Sequence, residues 1–242
     1  MKWLTRTGHA LNAYRQKRYS DLGLANTRRL QELARLWSDA TYIDLGVRFG
    51  NSSRALLSSA AANHNCVVGV DVDLSRIAKD VRRHPNYEMT CGDSVTVGLN
   101  WNPLRKVSIV FVDSIHTREI VLCELRSWIP HLVPGGFFVL HDTCWEPEKR
   151  EVIGNVSWGR PDEAAREFFG APNLSTFESS SVSIETFPDF NGMTFVQVHK
   201  PEAHPVEEID WSEVMNGRLA VLSALSRTRE LVRMGVSLDL PW

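Results

Sequence analysis

Short, almost wholly apolar runs alternate along most of the chain with segments in which apolar residues recur every three or four positions. Apolar runs between turn residues are typical of buried strands, whereas the wider spacing is typical of amphipathic helices. The predicted strands cover residues 41–46, 65–73, 86–93, 107–113 and 137–142. The predicted helices cover residues 24–38, 52–62, 74–83 and 117–132. Strands that alternate with helices predict a parallel sheet with helices on both faces.

The pattern changes after Asp142. Residues 143–173 are polar, contain glycine and proline, and include one predicted helix at 161–169. Residues 174–187 and 192–199 each read as a strand, and the turn-forming stretch FPDFNG joins them. Such a pattern predicts an antiparallel hairpin.

We therefore predict an α/β fold: a Rossmann-like, doubly wound, mostly parallel sheet with a C-terminal antiparallel hairpin. Residues 1–39 are expected to form a basic helical N-terminal extension, and residues 40–200 the central domain, with 143–173 as a lid-like insertion. Residues 201–242 are expected to form a C-terminal helical extension, which contains an amphipathic helix at 213–234.

Composition narrows the class of protein. With 43% hydrophobic and 23% charged residues, the 242-residue chain has the make-up of a globular protein. No apolar run approaches the ~20 residues that span a bilayer, and the first residues lack the apolar stretch of a secretory signal. Cys66, Cys91, Cys123 and Cys144 are far apart in sequence. They form neither a zinc-binding pair nor a disulfide framework, so we expect no membrane association and a cytoplasmic location.

Charge is unevenly distributed along the chain. Residues 1–37 carry a net charge of +6, which leaves −8 on the rest of a chain whose total is −2. This basic arm is compatible with an anionic substrate or nucleic acid. It is equally compatible with a solvated helix, or with an arm that lies on the acidic surface of its own or a neighbouring subunit. No aromatic and basic residues interleave through the remainder, which disfavours nucleic acid.

The segment DLGVRFGNSS, residues 44–53, joins a predicted strand to a predicted helix through a glycine turn. Gly46 and Gly50 allow close approach of the backbone to a ligand, and the first N–H groups of the helix are open. The second strand ends at Asp71, 27 residues after Asp44, where a carboxylate can accept hydrogen bonds from a ribose diol. The plainer alternatives are a tight turn, a capping role for Asp44 and an ordinary strand-end acid at Asp71.

The turn excludes two common nucleotide motifs. Arg48 stands where the dinucleotide motif GxGxxG requires glycine, and no GK[ST] follows. A carboxylate at Asp44 would repel a pyrophosphate but suits the ammonium of an amino-acid moiety. An acid, a glycine turn and a second acid after the next strand together describe a site for S-adenosylmethionine (SAM).

Over about residues 40–200 the chain resembles the class I SAM-dependent methyltransferases. DLGVRFGNSS resembles their first motif, Asp71 in VVGVDVD the acid that holds the ribose, and Asp93 in CGDS the acid that faces the adenine amino group. FVDSIHT and PGGFFVLHDT resemble a narrower subgroup of small-molecule O-methyltransferases and cephalosporin-hydroxylase-like proteins. The resemblance implies cofactor-binding roles for Asp44, Gly46, Gly50, Ser52, Asp71, Asp93 and Asp113.

Two further carboxylates end neighbouring strands. Asp113 follows the fourth strand and Asp142 the fifth, and adjacent strands lie ~4.8 Å apart. Close carboxylates repel one another unless a proton or a cation lies between them, and Mg²⁺ is a suitable cation. Such an ion would bind a substrate hydroxyl and lower its pKa. The metal-dependent relatives often have a third acid or an amide beside the second aspartate, where this chain has His141 and Thr143. Bound Mg²⁺ and a metal-free pair therefore both remain open.

Two histidines accompany these acids. His116, three residues after Asp113, is either the general base that takes the hydroxyl proton or a group that fixes the two acids. His141 precedes Asp142 on a strand, so we expect the two side chains to point to opposite faces and His141 to be structural. The predicted catalytic residues are thus His116, Asp113 and Asp142, with Asp113 and Asp142 as the metal ligands.

The leading hypothesis is a SAM-dependent methyltransferase that acts on a hydroxyl of a small molecule, such as a secondary metabolite or a sugar, with Mg²⁺ as an assisting ion. The alternatives are a hydroxylase-like member of the same subgroup, an RNA-directed methyltransferase that uses the basic arm, and a non-catalytic SAM-binding protein. The aromatic residues of the insertion either cover the acceptor or pack on the sheet. The C-terminal helix either forms a homo-oligomer interface or packs on its own domain.

Overall fold

The computed structural model describes residues 22–144 and 160–204, together with the backbone of two short strands at 152–153 and 156–157. The predicted C-terminal helix at 213–234 and residues 1–21 of the basic arm lie outside the described residues, as do Trp145 and Trp158. Among the helices in the described ranges, none is both long enough and apolar enough to cross a membrane.

Strands and helices alternate along the described chain. The strands are β1 (Thr41–Leu45), β2 (Cys66–Asp71), β3 (Tyr87–Cys91), β4 (Val107–Val112), β5 (Leu132–His141), β6 (Val152–Ile153), β7 (Val156–Ser157), β8 (Thr176–Glu178), β9 (Val182–Phe187) and β10 (Met193–Val198). The α-helices are α1 (Leu24–Leu33), α2 (Asn51–Leu57), α3 (Ala60–Asn63), α4 (Lys79–Arg82), α5 (Ser94–Leu99), α6 (Arg118–Trp128) and α7 (Pro161–Phe169). Short 3₁₀ turns occupy Leu74–Arg76, Ile129–His131 and Pro201–Ala203.

An eight-stranded sheet in the order β3-β2-β1-β4-β5-β10-β9-β8 forms the centre of the fold. The strands from β3 to β5 run parallel, whereas β10, β9 and β8 are antiparallel additions to the β5 edge. After β1 the chain proceeds outward to β3 and then returns to β4 on the other side of β1. The predicted doubly wound, mostly parallel sheet with antiparallel C-terminal strands is confirmed. In such sheets ligands bind where the winding reverses, which here lies between β1 and β4.

The inner parallel strands β1, β2, β4 and β5 contribute to two cores because successive side chains point to opposite faces. On β4, Val110 and Val112 pack toward α6 and Trp128, whereas Phe111 packs on the other face, toward α1 and α2. Both sets are fully buried. A strand covered on both faces must be almost wholly apolar, which explains the sequence VSIVFV.

Several predicted helices are shorter or interrupted. The segment 52–62 is two helices, α2 and α3, because the chain departs from the helix at Ser58 and Ser59. The segment 74–83 is a 3₁₀ turn followed by α4, with Ala78 in an extended conformation between them. Asp73 caps this 3₁₀ turn through the backbone N–H of Ser75. Interruptions of this kind follow from packing on the sheet, to which local periodicity is insensitive.

Strand boundaries also differ from the prediction. Residues 174–187 form two strands, β8 and β9, because the serines at 179–181 reverse the chain. Strand β5 begins at Leu132 rather than at residue 137, so Pro134, Gly135 and Gly136 lie within the strand, beside a register shift against β4. Helix α5 was not predicted. Phe168 and Phe169 of α7 pack against the core beside α6, which matches the packing alternative for these two aromatics.

Candidate active site

Two cavities open at the edge of the sheet where β1 and β4 end. The larger has a volume of about 230 Å³, and the smaller of about 30 Å³. Both are lined by Gly46, Arg48 and Asp113. The larger cavity is also lined by Asp71 and Asp93, with Val72, Ile115 and Ile120. The smaller cavity is also lined by Ser52, with Leu22, Phe49 and Asn51. The tertiary structure thus collects at one place most of the residues that the sequence assigned to the cofactor.

The glycine turn after β1 provides the common wall. Gly46 has φ +85°, and a Cβ atom there would lie 2.3 Å from the backbone oxygen of Asp113, so only glycine fits. Gly50, at φ +83°, directly precedes α2. Arg48 also lies in the left-handed region, at φ 48°, which costs a non-glycine residue conformational energy. Its position on both cavities was missed from the sequence, where it appeared only as a departure from the glycine pattern.

Backbone donors fix the carboxylate of Asp71. The N–H of Arg48 donates to Oδ2 and the N–H of Asp73 to Oδ1, both at 2.9 Å. Asp93 accepts from the backbone and hydroxyl of Thr96 and so caps α5. Both acids nevertheless line the larger cavity, and an ionised carboxylate has lone pairs left for a second donor.

Asp44 lies deeper than the other acids. It is fully buried, and Oδ2 accepts hydrogen bonds from the hydroxyls of Ser52 and Ser53 at the start of α2. It does not line either cavity, and its Oδ1 has no hydrogen-bond partner among the described residues. Burial raises the pKa of Asp44 to about 7, although the two serines oppose the shift.

A compact polar cluster of Asp113, His116, His141 and Asp142 adjoins the cavities. Each of the four residues offers one atom that could bind a metal ion, and these four atoms all lie within 4.8 Å of one another. His116 lies between the two carboxylates, with Nε2 3.1 Å from Asp113 Oδ1 and Nδ1 3.1 Å from Asp142 Oδ2. The predicted pairing of Asp113 with Asp142 arises because β4 and β5 are neighbours in the sheet.

The expected orientation of His141 was wrong. Its Nδ1 donates to Oδ1 of Asp113 at 3.1 Å and lies 3.2 Å from Oδ1 of Asp142. Strand β5 ends at His141, and Asp142 then adopts a left-handed conformation, with φ 57°. The alternation of side chains stops with the strand, so both side chains reach the same cluster.

The comparison with protein families decides the class of the protein. Residues 43–143 match the family described as a methyltransferase domain. Over these residues the chain is similar to the methyltransferase class that its motifs predicted. The match begins on β1 and ends just after Asp142, so it contains the glycine turn, Asp71 and the whole polar cluster. The sequence-based assignment to this class is confirmed.

Solved structures show that the methyltransferase fold extends beyond the matched residues. SAH-bound methyltransferase PaMTH1 from Podospora anserina is 12% identical, with a TM-score of 0.56 over 82% of this chain and 97% of that one. A putative caffeoyl-CoA O-methyltransferase from Staphylococcus aureus is 11% identical, with a TM-score of 0.57 over 73% and 84%. MycE of the mycinamycin pathway, in complex with Mg, SAH and mycinamycin VI, is 15% identical, with a TM-score of 0.52 over 84% and 58%. A search of curated proteins finds no sequence match.

Attraction between the histidines and the carboxylates stabilises the polar cluster. Burial disfavours the charged forms, but each histidine faces carboxylates and each carboxylate faces histidines. The adjacent acids, Asp142 and Asp113, raise the pKa of His116 to about 10 against the effect of burial, and that of His141 also rises. The pKa values of Asp113 and Asp142 fall below their usual range although burial alone would raise them. Without a metal ion, both histidines therefore hold a proton more strongly than a free imidazole does, beside two carboxylates that hold theirs less strongly.

Glu124 of α6 is a buried acid that sequence reasoning missed. Its Oε1 accepts hydrogen bonds from the hydroxyls of Ser94, at 2.5 Å, and Ser114, at 2.6 Å, which both line the larger cavity. Glu124 thereby joins the loops that follow β3 and β4. Burial raises its pKa to about 7. Its spacing of four residues from Ile120 and from Trp128 places it on the apolar face of the helix, which was the available signal.

Proposed function

We propose that this methyltransferase transfers the methyl group of SAM to a hydroxyl oxygen of a small molecule, with a divalent cation as an assisting ion. The observation that carries the proposal is the position of Asp113, which lines both cavities and also belongs to the polar cluster. A methyl donor in the cavities and an acceptor at the cluster would therefore share a wall. Methyl transfer is an in-line displacement, which requires the two reactants to be held against each other.

The cofactor-binding roles are proposed residue by residue. Asp71, whose carboxylate is fixed by two backbone N–H groups, accepts hydrogen bonds from the ribose hydroxyls. Asp93, at the far side of the larger cavity, accepts from the adenine amino group. Gly46 and Ser52, which line the smaller cavity, and Gly50, which directly precedes α2, would contact the methionine part. The buried Asp44, which is hydrogen-bonded to Ser52, would supply negative charge toward its ammonium. The SAH bound in PaMTH1 supports a cofactor of this kind.

The polar cluster fits a divalent cation. Asp142 Oδ1 and the Nε2 atom of His141 are buried without hydrogen-bond partners among the described residues. Such atoms are costly unless an ion or water satisfies them. Asp113 and Asp142 would hold the ion, and MycE was crystallised with Mg. When bound, such an ion would supply positive charge for both carboxylates and Lewis acidity toward the acceptor hydroxyl, and His116 would then be free to act as a base.

His116 is the proposed general base. Its side chain is 13% exposed and lies between the carboxylates of Asp113 and Asp142, which fix the orientation of the ring. Once neutral, a ring nitrogen accepts the hydroxyl proton, and the oxygen attacks the sulfonium methyl group as SAM leaves as S-adenosylhomocysteine. The buried surroundings exclude water from the proton transfer.

The cellular setting is proposed from weaker signals. None of Cys66, Cys91, Cys123 and Cys144 forms a disulfide, which supports a reducing compartment such as the cytoplasm. A small-molecule acceptor, such as a secondary metabolite or a sugar, and a homo-oligomeric state remain proposals. They are supported by the O-methyltransferase and MycE likenesses and by the amphipathic sequence at 213–234.

The first experiment is calorimetric titration of the purified protein with SAM. We expect one saturable site in the wild type and about 100-fold weaker binding in Asp71→Ala, because the ribose loses charged hydrogen bonds. Asp73→Ala is the matched control, since Asp73 is exposed and caps the turn beside Asp71. Absence of SAM binding in the wild type would refute the proposed function. Equal loss in both variants would reject the role of Asp71.

The second experiment uses pairs of small phenols and anilines that differ only in a hydroxyl or an amine. We expect methylated products, identified by mass, only from the hydroxyl members. Asp142→Asn should remove this activity while SAM binding is retained, because the asparagine removes a charge from the cluster rather than from the cofactor cavities. Methylated amines would reject O-methylation, and a product that gains oxygen would favour the hydroxylase alternative.

A further inference from the structure

Three atoms of the polar cluster have the arrangement of ligands around a single ion. Nδ1 of His141 lies 3.1 Å from Oδ1 of Asp113 and 3.2 Å from Oδ1 of Asp142. Neighbouring ligands on an ion at about 2.1 Å are roughly 3.0–3.4 Å apart in octahedral or tetrahedral geometry. The nitrogen therefore lies where a third ligand would be, beside the two acids.

Hydrogen bonding alone does not account for this arrangement. A neutral imidazole nitrogen has one proton at most, and Nδ1 of His141 hydrogen-bonds to Asp113. Oδ1 of Asp142, although 3.2 Å away, has no hydrogen-bond partner among the described residues. His141 is also almost fully buried, with 3% of its side chain exposed, so bulk water does not satisfy it. A metal ion between the nitrogen and the two oxygens would satisfy all three atoms.

We propose that His141 is a metal ligand together with Asp113 and Asp142, and that the site selects a first-row transition-metal dication over Mg²⁺. Imidazole nitrogen suits Zn²⁺, Fe²⁺ and related ions, whereas Mg²⁺ prefers oxygen ligands throughout. Three protein ligands leave open positions for water or an acceptor oxygen, as in catalytic metal sites. This inference deepens the proposed function and rests on it only for what the ion does.

The position of His141 explains the selectivity. His141 places an imidazole nitrogen beside both carboxylates, 3.1 Å from Asp113 and 3.2 Å from Asp142. His116 remains available as the base, because its Nδ1 lies on the other oxygen of Asp142, Oδ2, at 3.1 Å. At Asp142, the ligand His141 and the base His116 thus contact different oxygens of the carboxylate.

The test measures metal binding directly. Protein stripped with a chelator is titrated with Co²⁺ and followed by its visible absorption, and then with Zn²⁺ and Mg²⁺ in competition. We expect Co²⁺ and Zn²⁺ to bind at least ~100-fold more tightly than Mg²⁺. His141→Asn should weaken Co²⁺ binding by about 100-fold or more and change the absorption spectrum. His64→Asn is the control, because His64 is exposed and has φ 54°, a conformation that asparagine tolerates.

A second variant, His141→Asp, should reverse the preference for the metal and tests the same role of His141 if His141→Asn does not fold. His141→Asp gives the ion a third carboxylate and should raise the affinity for Mg²⁺ while lowering that for Zn²⁺. Pulsed EPR of wild-type protein loaded with Mn²⁺ should show coupling to imidazole nitrogen. Equal affinities for Mg²⁺ and Co²⁺, absence of nitrogen coupling, or absence of any metal binding would each overturn the proposal.

Titration of the same samples with SAM separates this inference from the proposed function. SAM binding without metal binding would reject the metal site alone and leave the two histidines as imidazolium partners of the acids. Metal binding without SAM binding would support the ligand set and reject the methyltransferase mechanism.

Discussion

The buried carboxyl group of Asp44 should make the stability of the metal-free, SAM-free protein fall as the pH rises. Its pKa is about 7 in the folded protein, against a reference of 3.8 for an exposed carboxyl. The folded state therefore retains a proton that the unfolded state loses between these values. The contribution of Asp44 to the free energy of unfolding is therefore greatest at low pH and falls as the pH approaches 7, because ionisation of this carboxyl favours the unfolded chain.

The magnitude follows from the two pKa values. Each pH unit between them changes the free energy of unfolding by about 1.4 kcal/mol, so the span from pH 5 to pH 7 corresponds to about 3 kcal/mol. Asp44→Asn removes the ionisation but retains an oxygen that accepts from Ser52 and Ser53. The buried amide of the asparagine lacks an acceptor, which lowers the free energy of unfolding of the variant by the same amount at every pH. This amount therefore cancels when the difference between variant and wild type is compared at two pH values.

The assay is urea unfolding followed by circular dichroism at pH 5, 6 and 7. We expect the stability of Asp44→Asn relative to the wild type to increase by about 3 kcal/mol from pH 5 to pH 7. Asp39→Asn is the matched control. Asp39 is exposed and has φ 52°, which asparagine tolerates, so its difference from the wild type should be nearly the same at each pH. A difference for Asp44→Asn that does not change with pH would refute the reasoning.

Three other predictions test the site. If Asp44 faces the ammonium of SAM, binding at pH 7 should release a proton, seen as a buffer-dependent heat of titration that Asp44→Asn lacks; no buffer dependence in the wild type would contradict this role. Gly46→Ala should destabilise the protein by more than ~2 kcal/mol, because strain at positive φ adds to a 2.3 Å clash with the backbone of Asp113. The control Gly170→Ala, at φ +62° with no atom within 4 Å, should cost only the ~1–2 kcal/mol of backbone strain. Equal urea midpoints for the two variants would reject the clash. A chelator should abolish methyl transfer in the product assay yet spare SAM binding, and added metal should restore it; full activity after chelation would exclude the ion.

Residues close together in sequence carried most of the correct predictions. The apolar run at 107–113 predicted a strand buried on both faces, and the turn at 44–53 predicted the cavity wall, because each depends on a few neighbouring residues. Asp113 and Asp142 could also be paired from sequence. Both follow consecutive parallel strands, and the doubly wound order places those strands side by side.

Errors arose where distant parts of the chain determine local conformation. The segment 174–187 has strand character throughout, but the reversal at its three serines depends on the pairing of β8 with β9 and of β9 with β10. Helix 74–83 is interrupted at Ala78, whose extended conformation separates the 3₁₀ turn from α4. The spacing of apolar residues along the chain indicates which residues are buried, but it does not indicate which distant residues they pack against.

By itself, the sequence determined the class of fold, the carboxyl-edge location of the site and the identity of its two central acids. These features follow from hydrophobic periodicity and from short motifs, which act over a few residues. Only the tertiary structure decided that His141 joins the cluster, because that depends on where β5 ends and on the left-handed backbone of Asp142. It also decided the proton affinities of Asp44 and Glu124, because a pKa depends on burial and on partners that the folded chain brings from elsewhere.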